Sequence, residues 1–154
     1  MNILTRAYQG LIYLGSLLKS PLLLLLRLFF GLSFMTHGWQ KLMNIPQTAE
    51  SFAQLNIPMP LHQAYLVGSV EFFCGLLLAI GLASRLAAIP LATTMIVAFI
   101  TAHFDSLSAI FTDPSRFIAE PAFNYLLTAL LVLAFGPGRF SVDHLLERRF
   151  FRTA

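Results

Sequence analysis

An all-α integral membrane fold, a bundle of four transmembrane helices with an N-terminal interfacial amphipathic helix, is predicted by three features of the sequence. Hydrophobic residues make up 57% of the 154 positions and charged residues 11%, against about 25% charged in soluble domains. The apolar residues are gathered in long runs, and roughly 20 such residues cross the hydrocarbon of a bilayer. Lys and Arg concentrate on one side of the resulting bundle, the asymmetry that orients membrane proteins.

Residues 1–20 carry Ile3, Leu4, Ala7, Tyr8, Leu11, Leu14 and Leu18 on one helical face, with Asn2, Thr5, Arg6, Gln9 and Ser16 opposite. That pattern predicts a helix lying in the interface. It lacks the compact basic region and small-residue cleavage site of a signal peptide, so it is expected to belong to the mature protein. Lys19-Ser20-Pro21 is a start signal, with a polar cap and Pro at the first helical position. The first span runs over about 21–43.

The segment after it holds three prolines and more polar residues. Thr48, Ser51, Phe52 and Leu55 predict one short surface helix closed by Pro58 and Pro60. The second span covers about 62–83, with Glu71 near its middle, and Ser84-Arg85 forms a basic turn. The third covers about 86–103 and tolerates Pro90 in its first turns. Residues 104–120 are mixed and acidic. The fourth span, about 121–135, stops at Gly136-Pro137-Gly138. Residues 139–154 form a basic tail helix with Ser141 as a candidate cap, which leaves 21–138 as the transmembrane domain.

Four spans put both ends of the chain on one side. Arg6, Lys19, Arg85, Arg139, Arg148, Arg149 and Arg152 share that side, against Lys41 and Arg116 on the other, so both termini are expected in the cytoplasm. The net charge of +3 sits beside apolar segments, which fits anionic lipid headgroups rather than nucleic acid. The single Cys74 excludes an internal disulfide and a Cys-x-x-Cys redox pair, and its apolar setting predicts a packing role. Gly31 with Gly38, and Gly68 with Gly75, are each seven residues apart; they are either close-approach positions between the first two spans or ordinary small residues of membrane helices.

Polar groups inside a bundle face one another or a wet pocket. Counting roughly 1.5 Å per residue from the cytoplasmic end puts Arg27 about 9 Å deep and Glu71 about 15–18 Å deep. An intramembrane charge pair Arg27–Glu71 is therefore expected; the alternative is that Arg27 snorkels while Glu71 is protonated. His37 and His103 both fall about 24 Å from that end, with Asn124 at a similar level and Lys41 at the mouth. These four are the candidate outer-half pocket, where imidazole and amide donors could polarise quinone carbonyls. The alternative is that each histidine simply bonds backbone or water. Metal is a poorer fit, because the histidines lack an i, i+4 motif and Glu71 is assigned to Arg27. No catalytic triad, phosphate loop or haem motif is present, and no catalytic residue can be named.

Three blocks carry a family resemblance: Arg27, Gly31, Phe34, His37-Gly38 and Lys41-Leu42; Glu71, Gly75 to Leu78, Gly81-Leu82, Arg85 and Ala87-Ala88; and Gly136 to Asp143 without interruption. In these the chain resembles the DoxX family of small bacterial membrane proteins, from the first span to the start of the tail. The resemblance implies a four-helix membrane fold in the bacterial inner membrane. It also implies kinship with membrane oxidoreductases or their subunits, such as a thiosulfate:quinone oxidoreductase of sulfur-oxidising archaea and a mycobacterial assembly linking thiol and superoxide defence. Other members accompany responses to quinones and catechols. Cys74 stands where the family often has a glycine, and the acidic residue of the family's fourth span could match Glu120, which would leave Asn124 without a family role; the sequence leaves both as candidates for the functional polar residue of that span.

The expected role is an inner-membrane subunit of, or accessory to, a quinone-linked oxidoreductase, in contact with lipid, a quinone and a partner subunit that supplies electrons. The rivals are a non-catalytic anchor or assembly factor for a cytoplasmic partner, and a small transporter.

Overall fold

A computed structural model describes the backbone of residues 3–150 and the side chains from Tyr8 to Arg149. The first two residues of the expected amphipathic helix, the side chains of residues 3–7 and the last four residues of the tail lie outside the described residues. The described chain is all-helical, with no strand: α1 (Ile3–Met43), α2 (Ile45–Gln54), α3 (Pro60–Ile80), α4 (Ser84–Thr101), α5 (Phe104–Ser108), α6 (Pro114–Ala119), α7 (Pro121–Phe135) and α8 (Val142–Phe150). α1, α3 and α4 are long and apolar enough to cross a bilayer; α7 is apolar but has 15 residues.

α1 does not begin at Pro21. It runs unbroken through that residue, so residues 3–20 and the first span are one helix. Pro21 withdraws a single backbone donor, and the five leucines and Arg after it are strong helix formers. The segment from Tyr8 to Leu18 leaves the bundle with exposed side chains all round, and nothing lies within 4 Å of a Cβ placed on Gly10 or Gly15.

α1 and α3 are antiparallel and nearly touch. A Cβ on Gly31 would come within 2.7 Å of the Ala79 amide nitrogen, one on Gly38 within 2.3 Å of that of Phe72, and one on Gly75 within 2.6 Å of that of Met35. Seven residues make two turns, so each helix presents both glycines on one face. Without Cβ atoms the backbones can approach closely enough for dispersion contacts to hold them together in a lipid solvent. α3 ends where Gly81 takes a left-handed conformation (φ 77°), with the Gly81 and Leu82 amides returning to the Leu77 and Leu78 carbonyls. α4 follows at once.

The core is one layer to which four helices contribute: Phe34 of α1, Leu78 of α3, Leu91 and Ala92 of α4, and Ala129 and Val132 of α7. Cys74 packs half-buried against it. The bundle has two distinct ends. The cap end carries α2, α5 and α6, with Phe99 stacked on Phe117 at 4.8 Å. There Asp113 accepts a hydrogen bond from the Ser115 hydroxyl, which holds its carboxyl below the usual carboxylate range. The tail end carries the α3–α4 turn and α8.

Candidate functional site

The close α1–α3 pairing sets which polar groups meet. Gly38 faces the Gly68–Phe72 stretch and Gly31 faces Gly75–Ala79, so Arg27, one turn before Gly31, comes level with Gly81. Glu71 lies ten residues away along α3, roughly 15 Å at helical rise. The expected Arg27–Glu71 pair is therefore not formed. Counting depth from Pro21 fails because α1 extends past the end of α3, which puts Arg27 at the tail end rather than inside the bundle's inner half.

Glu71 is paired instead with Lys41. The Lys41 Nζ donates to both carboxylate oxygens, at 2.5 Å to Oε1, and Glu71 is 2% exposed while Lys41 is 30% exposed. A charge-assisted bidentate contact of this kind offsets the cost of burying the carboxylate. The pair forms part of the wall of a cavity of about 260 Å³ between α1, α2, α3 and α4. Gln63, Thr94 and Thr101 add polar groups; Leu66, Met95 and Phe52 are among its apolar lining. An apolar cleft with a few convergent polar groups is the usual form of a small-molecule site.

Arg27 belongs to a different assembly. It is fully buried, and its Nη2 donates to the Phe140 carbonyl at 2.5 Å. Its Nη1 occupies the space a Cβ on Gly81 would need, 1.8 Å away. Asp143 is the acidic group whose field reaches it. Asp143 also accepts from the backbone amides of Ala83 at 2.7 Å and Ser84 at 3.0 Å, which caps the start of α4 from a helix far along the chain. Ser141 accepts the His144 amide and donates to the Gly138 carbonyl, so it caps α8. Arg27 of block one, Gly81 of block two and Phe140, Ser141 and Asp143 of block three thus meet in one knot, which fixes the tail to the bundle.

The four outer-half candidates are not gathered into one pocket. Of these, only Lys41 lines the cavity. His37 is exposed; its Nδ1 lies 2.7 Å from the Ser33 carbonyl, and the Tyr125 ring meets it edge-on. It shares with Lys41, Gln40, Asn44 and Thr48 a separate polar groove of about 320 Å³. His103 follows the end of α4 rather than lying on a span, and its Nδ1 pairs with Glu120 at 2.9 Å. Ser106 donates to the other Glu120 oxygen at 2.7 Å. Asn124 is exposed and makes no side-chain hydrogen bond among the described residues, so Glu120 is the partnered polar residue at the start of α7. Equal depth along different helices is not proximity: α1 and α4 sit diagonally in the bundle, each beside α3 and α7. Among the described residues no three His, Cys, Asp or Glu side chains converge.

The DoxX family model matches residues 22–104. A Mycobacterium tuberculosis protein named "Uncharacterized membrane protein Rv3486" is 33% identical over 84% of this chain and 83% of its own. A Bacillus subtilis protein named "Putative oxidoreductase CatD" is 31% identical over 68% of this chain and 69% of its own. No solved structure matches.

Proposed function

Because the chain belongs to the DoxX family and is a multi-pass membrane protein, we propose that it is an inner-membrane component of a quinone-linked oxidoreductase. Its quinone site in this reading is the cavity that Lys41 and Glu71 line. The observation that carries the proposal is this buried ion pair in the wall of an otherwise largely apolar cleft. The B. subtilis relative's name adds support for redox work.

The donor set fits a quinone head group. Apolar side chains take the ring, the Lys41 ammonium can donate to a carbonyl oxygen, and Glu71 can hold or release a proton beside it. A bound quinone supplies two-electron, two-proton redox capacity. Lys41 then orients the head group, and its partial exposure opens the pair to the cap-end groove as a proton path. Electrons come from a partner subunit or a soluble reductant.

In this reading α7 is the fourth span, the tail end faces the cytoplasm, and the exposed apolar stretch from Tyr8 to Leu18 lies against the bilayer interface. His37 sits at the groove mouth beside Lys41.

The purified protein is expected to bind a short-chain ubiquinone or menaquinone analogue. Lys41→Met should weaken that binding at least about ten-fold, the loss of roughly one charge-assisted hydrogen bond. Ala98→Phe, which fills the cavity and keeps the ion pair, should abolish it, while His103→Ala should leave it unchanged. If no analogue binds, the protein is an anchor or assembly factor instead; binding that survives both cavity variants would place the quinone outside this cleft.

A further inference from the structure

A second cleft, at the tail end, is larger than the first and chemically different. It holds about 650 Å³ between the N-terminal part of α1, the α3–α4 turn, the loop after α7 and α8, within the range of small-ligand sites. Three cations line it: Lys19, Arg85 and Arg139. None has a carboxylate partner among the described residues, where the ion pairs are Lys41–Glu71, His103–Glu120, Arg116–Asp105 and His144–Glu147.

Of the two acids on its wall, Asp143 is already engaged. Asp143 accepts the Ala83 and Ser84 amides, and Glu147 faces His144. Two of the cations are also held in place, and the backbone of the third is anchored. Lys19 Nζ lies 5.1 Å from the centre of the Phe135 ring, a geometry that restrains an ammonium. The Arg85 guanidinium lies against Gly136, 3.3 Å from where a Cβ would stand. The Arg139 amide donates to the Ser20 hydroxyl at 3.4 Å, tying the loop to α1. Beside the cleft, Leu86 is 70% and Phe135 55% exposed, so charged and apolar surfaces meet at its rim.

We propose that this cleft binds a phosphate-bearing anion, with Lys19, Arg85 and Arg139 around the phosphate oxygens. Two guanidinium forks and an ammonium are the donor set that phosphate recognition uses. The phosphate comes either from an anionic lipid headgroup, whose chains would lie along Leu86 and Phe135, or from a free phosphate compound.

The test uses the full-length protein in a neutral detergent, by native mass spectrometry and thermal unfolding. The probes are phosphatidylglycerol, phosphatidylcholine and glycerol 1-phosphate. Retention of one phosphatidylglycerol, with little phosphatidylcholine, supports the site with a lipid source. Equal protection by glycerol 1-phosphate supports it with a free source. Lys19→Gln, Arg85→Gln and Arg139→Gln should each weaken binding about five-fold, the usual contribution of one cation near an anionic surface. Arg148→Gln with Arg149→Gln, which removes two exposed charges outside the cleft, should change it less than two-fold. The proposal is overturned if the outer pair of substitutions weakens binding as much as the cleft variants do. Equal binding of the two lipids with no response to glycerol 1-phosphate overturns it as well.

Discussion

Lys41 and Arg27 are the two cations of the bundle interior, and they have opposite surroundings. Lys41 meets a carboxylate that is 2% exposed, whereas Arg27 meets a backbone carbonyl and the field of Asp143. Removing one member of a buried pair strands the other, at a cost of about 3–5 kcal/mol, while removing both leaves nothing uncompensated. Lys41→Met should therefore destabilise the protein more than the double variant Lys41→Met/Glu71→Gln, by at least about 1 kcal/mol, in denaturant unfolding in micelles. A double variant as unstable as the single one would mean that Glu71 has no need of Lys41. Arg27 and Glu71 were visible in the sequence as charges set in apolar runs, and Lys41 at the end of one. Their partners were not, because partnership depends on the stagger between helices, and stagger is not written in the position of any one residue.

That stagger was nevertheless encoded, in the glycines. Matching Gly31 to Gly75 and Gly38 to Gly68 aligns α1 with α3 and puts Lys41 near Glu71 and Arg27 beside Gly81. Counting from Pro21 gave a different answer because the helix does not start there. The long apolar helices were legible from their composition, but α3 ends at Ile80 with Gly81 as its cap rather than at Ala83, and α4 already begins at Ser84, where the sequence predicts a turn. The knot at Asp143 was not legible, since it joins residues 59 or more apart. Its hint was that the third block remains unbroken from Gly136 to Asp143 although the segment is polar and lies outside any span. If the glycine seam holds α1 to α3, Gly38→Ala must force two backbones apart, because the new Cβ would meet the Phe72 amide and the Gly68 carbonyl rather than a flexible side chain. The expected loss is about 2–3 kcal/mol, read as a lower melting temperature in detergent. Gly10→Ala meets nothing and should be neutral or stabilising by up to about 1 kcal/mol through helix propensity. Equal responses at the two sites would show that the close approach contributes little.

At the scale of the whole molecule, α7 decides how the bundle sits in the bilayer. At roughly 1.5 Å per residue its 15 residues reach about 22 Å, short of a hydrocarbon layer about 30 Å thick. Its ends nevertheless lie at opposite ends of the bundle: Glu120 pairs with His103 at the cap end, and Phe135 meets Lys19 at the tail end. A short span is accommodated by local thinning of the bilayer or by flanking polar residues reaching the interface, each at modest cost. Lys19, Arg85, Arg139, Arg148 and Arg149 stand at the tail end against Lys41 and Arg116 at the cap end, so the tail end should be cytoplasmic. Single cysteines on a Cys74→Ala background test both points, with a membrane-impermeant maleimide applied to intact and permeabilised cells. Ser51→Cys and Ser115→Cys should label in intact cells, and Ser16→Cys and Arg149→Cys only after permeabilisation. Labelling of Arg149→Cys but not Ser16→Cys in intact cells would mean that α7 does not cross. Labelling of both tail-end positions and neither cap-end position would invert the protein, and would turn the cleft lined by Lys41 and Glu71 toward the cytoplasm.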